Sequence, residues 1–109
     1  MNIQREVSIK VPQLHNDGTE IAPEVIKKLE TLMLSWFGGF TKRNVQGAWV
    51  NSAGKRFDDY LWEYDLACGQ YNGDRHIDDW LRDLGHIVKV GCAQESVCVR
   101  LWDGSVQFV

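Results

Sequence analysis

From Pro23 to Phe37, and again from Ile77 to Val88, apolar residues recur at steps of three and four; most of the remaining chain alternates instead. This mixture of two periods limits the fold more than any other feature. It calls for two helices, each with one apolar stripe, set among strands with one apolar face. In the first helical stretch Val25/Ile26, Leu29, Leu32/Met33 and Trp36/Phe37 make the stripe. Pro23 suits a first helical position, Glu24 meets the positive end of the dipole, and Gly38-Gly39 supplies a left-handed stop. In the second, Asp74 is the expected N-cap, Ile77, Trp80/Leu81, Leu84 and Ile87/Val88 the stripe, and Gly91 the end. Arg75 precedes Asp79 by four residues and Asp78 precedes Arg82 by four, so the acids of this helix are expected to pair. His76 and His86 are read as surface residues.

Val7, Ile9 and Val11 alternate with Ser8 and Lys10, as a strand with one buried face does. A second strand is predicted over Val45–Val50, a turn over Asn51-Ser52-Ala53-Gly54-Lys55, and a third strand over Phe57–Ala67. In the third, Tyr60, Trp62, Tyr64, Leu66 and Cys68 share one side, and Asp59, Leu61, Glu63 and Asp65 the other. Val97, Val99 and Leu101 make a fourth strand, Asp103-Gly104 a two-residue hairpin turn, and Val106–Val109 a fifth strand. Two one-sided helices need a sheet to cover, and crossovers of one hand put both on the same face. The expectation for residues 1–109 is a single α+β domain: a ferredoxin-like split β-α-β sandwich with two helices on one face of an antiparallel sheet and an extra C-terminal hairpin strand. Its other face would be open.

Charge narrows the function. Twelve Lys+Arg against 15 Asp+Glu give a net charge of −3, which supplies no attraction to a phosphate backbone. The acids of the third strand also oppose an RNA-binding sheet, so a nucleic-acid partner is not expected. No apolar run approaches the roughly 20 residues of a membrane span, and the polar start lacks a signal-peptide core. Cys68, Cys92 and Cys98 are odd in number and not closely paired, so reduced thiols, no metal site and no cofactor are expected, in the cytoplasm. Five tryptophans, at 36, 49, 62, 80 and 102, exceed what a core of this size needs.

Gly38-Gly39-Phe40-Thr41, Gly47-Ala48-Trp49, Gly54-Lys55 and Gln94-Glu95-Ser96-Val97 are more specific than packing requires. In this order they resemble a family of small uncharacterised bacterial and phage-borne proteins. Its pattern is Gly-x-Thr after the first helix, Gly-x-Trp in the second strand, Gly before the third with an acidic residue just beyond, and Gln-Glu-Ser/Ala-Val entering the fourth. The likeness runs from about residue 30 onward. It implies a shared fold and a mobile-element setting, but no reaction. The chain is expected to differ in carrying no lipoprotein leader, which some members have, and it has Asp58-Asp59 where an acidic-Ser pattern is common.

The candidate binding residues are Thr41, Trp49, Lys55, Asp58, Asp59, Trp62, Gln94 and Glu95, with the starts of the second and fourth strands expected to converge on Asp58-Asp59. No catalytic residue is assigned. The leading reading is a non-catalytic binding module that inhibits a host defence protein, or self-associates as a dimer, through the open sheet face. The alternative is a protein that binds or sequesters a nucleotide-like small molecule, with an aromatic side chain stacked on the base. A third is a small enzyme using Glu95 with Asp58 or Asp59. An exposed tryptophan cluster would favour a protein partner; a lined concavity would favour a ligand.

Overall fold

The structure, a computed structural model, describes residues 6–67 and 76–109. Its elements run β1 (Glu6–Pro12), α1 (Pro23–Phe37), β2 (Phe40–Val50), β3 (Arg56–Ala67), α2 (Ile77–Gly91), β4 (Cys98–Arg100) and β5 (Val106–Phe108). The sheet order is β2-β3-β1-β4-β5, with every neighbouring pair antiparallel. Each helix therefore joins two parallel strands that flank a third. This is the expected ferredoxin-like α+β sandwich, with β5 added beside β4.

The central strand decides which face is buried. Val7, Ile9 and Val11 of β1 are fully buried, opposite Leu66, Tyr64 and Trp62 of β3. Leu29, Met33 and Phe37 of α1 and Ile77, Leu81, Leu84 and Val88 of α2 close over them in one core. Phe37 meets Trp80 edge-on at 6.1 Å where the helices touch. Gly38 ends α1 in the left-handed region, with its N–H on the Leu34 carbonyl.

Several local expectations are corrected. β2 begins at Phe40, not Val45, because the charged residues Lys42 and Arg43 find partners: Glu30 on α1, and Glu63 and Asp65 on β3. α2 is capped by His76, whose Nδ1 accepts from the Asp78 N–H at 3.2 Å; Asp74, Arg75 and Cys68 lie outside the described residues. Arg82 pairs with Asp79 rather than Asp78, whose carboxylate instead accepts the Trp102 N–H. The β4–β5 loop has three residues: Gly104 donates to the Leu101 carbonyl and Leu101 N–H to the Ser105 carbonyl, with Gly104 at φ 87°. That is a type I turn closed by a left-handed glycine, and Asn51–Lys55 repeats it with Gly54. Among the described residues no helix is long and apolar enough to cross a membrane.

Candidate functional site

The β2–β3 hairpin is longer than the strand that supports it. Its register runs from Phe40↔Leu66 out to Val50↔Arg56, whereas β1 covers β3 only from Ala67 to Leu61. The part beyond Leu61 projects as an arm. Beneath the arm lies a cleft of about 940 Å³, near the upper end of the ~300–1,000 Å³ usual for small-molecule sites. Three walls enclose it: the arm, the 14–18 loop after β1, and the segment from Gln94 to Cys98 with Phe108 of β5.

Chemistry is unevenly spread over these walls. On the arm, Trp49 stacks on Phe57 with centroids 4.5 Å apart and planes 15° apart, so the pair stiffens the wall. Trp49 remains half exposed. Asp59 is exposed and faces Gly47 across the strands, so no side chain stands directly opposite it. Asp58, one position along, is engaged by Arg56 through Nε and Nη2, both at 3.0 Å. On the opposite wall Gln94 donates to the Cys92 carbonyl at 3.0 Å, which fixes its amide where α2 gives way to the strand. In the 14–18 loop, the hydroxyl and N–H of Thr19 both donate to Asp17 and hold its carboxyl below the usual range. The cleft thus combines an aromatic wall with the Asp59 carboxylate, and the lysine of β1, Lys10, lies at its inner end.

Of the predicted residues, the fold brings Trp49, Asp58, Asp59 and Gln94 into one cleft and leaves four outside its lining. Thr41 pairs opposite Asp65, at the other end of β2 from Trp49, so the expected convergence of the two fails. Lys55 sits in the hairpin turn with its ammonium 5.1 Å from the centre of the Phe57 ring. Trp62 faces the helices and flanks a smaller groove of about 330 Å³ with Glu30 and Lys42, the Lys42 ammonium 4.2 Å over its ring. Glu95 is exposed beside the cleft without lining it. Sequence reasoning missed Lys10, Phe57, Cys98 and Phe108 as lining residues. Their alternation within strands was visible, but which strands adjoin was not.

The open sheet face is not a tryptophan platform. Trp36, Trp62 and Trp80 pack half-buried against the core, and Trp102 sits in the β4–β5 loop. Arg43 bridges Glu63 at 2.7 Å and Asp65 at 2.5 Å across that face, and both acids raise the guanidinium's affinity for its proton. Of the five tryptophans, only Trp49 lines the concavity. Cys92 is buried, and burial pushes its thiol up, as suits a packing residue.

The sequence matches no protein-family model and no curated protein. Among solved structures, it is similar to a phage SAM lyase in complex with S-methyl-5'-thioadenosine. The TM-score is 0.73 at 15% identity, over 97% of this chain and 88% of that one. The likeness shows a common fold.

Proposed function

We propose that the chain binds an adenosine thioether or sulfonium in the cleft under the β2–β3 arm, and that it cleaves the sulfonium form, S-adenosylmethionine. The observation that carries this reading is the cleft itself. It sets the exposed face of Trp49 near the Asp59 carboxylate, in a space large enough for a nucleoside. A base stacked on an aromatic ring gains roughly 1–3 kcal/mol. A sulfonium is a permanent cation, attracted both to a nearby carboxylate and to a chain of net charge −3. The fold shared with a thioadenosine-bound lyase supports this small-ligand reading over inhibition of a host protein through the sheet.

The chemistry asks little of an acid. S-Methyl-5'-thioadenosine is released when the bond between the sulfonium sulfur and the methionine γ-carbon breaks. The electron pair passes to sulfur and neutralises it, so the leaving group needs no proton. The γ-carbon is satisfied within the departing fragment, either by transfer of a proton from the neighbouring β-carbon to the Asp59 carboxylate, which leaves an alkene, or by attack of the fragment's own carboxylate, which closes a lactone and releases no proton. The cleft's part is to hold the substrate in a reactive shape and to limit solvent. Asp59 would bind the sulfonium, and Gln94 would present an amide to the ribose or base.

Incubation with S-adenosylmethionine, followed by chromatography, tests the proposal. Release of S-methyl-5'-thioadenosine by the protein, lost in Trp49→Ala, is the expected result. Absence of both release and binding at millimolar ligand would refute it.

A further inference from the structure

We infer that Lys10 selects ligands bearing a carboxylate, which makes the amino-acid end of the ligand a recognised part of the site. This rests on the cleft reading above and goes beyond it, because a thioadenosine alone has no such group.

Among the described residues that line the cleft, Lys10 carries the one Lys or Arg charge, against Asp59; Asp58 is taken by Arg56. The Lys10 ammonium is weakly committed. Among the described residues the acid in ion-pair range of it is Glu63 at 3.9 Å, the outer limit, and Glu63 is already held by Arg43 at 2.7 Å. The Lys10 side chain keeps 38% of its exposure, so it can turn toward a ligand. The cleft lining that it joins also includes the apolar Pro12, Leu61, Cys98 and Phe108, while Glu63 stands across the strand pair from it.

Position supplies the second part of the argument. Lys10 pairs opposite Glu63, and Trp49 opposite Phe57, six residues further along β3 (63 − 57 = 6). Six residues of strand span about 20 Å. The aromatic wall and the ammonium are therefore at opposite ends of an elongated site, with Asp59 between them in the β3 sequence. A base, a central cation and a terminal carboxylate follow the same order, and because the extended ligand is shorter than this backbone span, the Lys10 side chain has to reach toward Asp59 to meet the carboxylate. S-Adenosylmethionine has that order.

The test compares two probes that carry a neutral sulfur. S-Adenosylhomocysteine has the amino-acid end and S-methyl-5'-thioadenosine lacks it. Each is titrated calorimetrically into the wild-type chain, Lys10→Met and Lys10→Arg, with melting curves to show that all are folded. Lys10→Met is expected to weaken S-adenosylhomocysteine roughly tenfold, to leave S-methyl-5'-thioadenosine within about twofold, and Lys10→Arg is expected to restore binding. Equal weakening of both probes, or of neither, would overturn the assignment while leaving the cleft reading intact. If the wild-type chain binds neither probe, the cleft reading fails and the role of Lys10 with it.

Discussion

Tyr64 is fully buried, and its hydroxyl donates to Glu30 Oε2 at 2.5 Å, an atom that also accepts from Lys42 at 2.8 Å. Partial burial opposes ionisation of Glu30, but the bonds from Lys42 and Tyr64 outweigh it and hold the carboxyl below its ordinary 4.5. For a carboxyl depressed in the folded state, the stabilisation is full above the unfolded value and is lost as pH falls through the folded one. Tyr64 behaves oppositely. Burial first, and the hydrogen bond to Glu30 second, push its hydroxyl well above the ordinary 10.0. Its contribution is full below about pH 10 and declines above it, as the unfolded chain ionises and the folded one does not. Urea midpoints measured against pH should therefore fall on both the acid and the alkaline side. Tyr64→Phe should lower the neutral-pH stability by about 2 kcal/mol and make the alkaline limb shallower. An alkaline limb unchanged in that variant would place its origin elsewhere.

At the level of elements, α2 and the C-terminal strand meet at a glycine. A Cβ built on Gly85 would overlap Val109 Cγ2, and Val109 is held there by paired backbone bonds with Val97, at 2.9 and 3.0 Å. Helix propensity alone would favour Gly85→Ala by about 1 kcal/mol. Overpacking of a tethered neighbour opposes it by roughly 1–3 kcal/mol. The expected sign is net loss of stability in urea melts, largely recovered in the double variant Gly85→Ala/Val109→Ala. A gain in the single variant would mean that β5 moves aside freely. The sequence marks Gly85 only as a weak spot in a helix, since the residue that fills its notch lies 24 positions away (109 − 85 = 24). The start of β2 was hidden for the same reason. Lys42 and Arg43 look like loop residues until Glu30, Glu63 and Asp65 are brought beside them. By contrast, α1 was legible to the residue at both ends, because Pro23 and Gly38 act through their own backbone geometry.

Across the whole molecule, the chain is elongated, 47 × 29 × 23 Å. Its two helices roof one face of the sheet, while the hairpin arm reaches past that shared core. A ligand that binds in the cleft touches the arm, the loop after β1 and the approach to β4 together, so binding couples to global unfolding. Under the proposed function, S-methyl-5'-thioadenosine at a hundred times its Kd should add about 2.7 kcal/mol to the folded state. For a domain of this size that corresponds to a Tm rise of roughly 10 °C or more. A melting scan with the nucleoside, with adenosine and sugar-free thioethers alongside, checks this. No shift with S-methyl-5'-thioadenosine would remove the ligand from consideration.

The two periods of apolar spacing, the caps and the glycine turns determined the elements, their order and the side of the sheet that is buried. Those features act over a few residues, and their energies are local. The cleft was decided only in three dimensions. Trp49, Asp59, Gln94 and Lys10 come from three strands and a connecting segment. What unites them is strand order and the overhang of β2–β3 beyond β1. Both follow from how the strands pair around one shared core, and no local spacing along the chain encodes them.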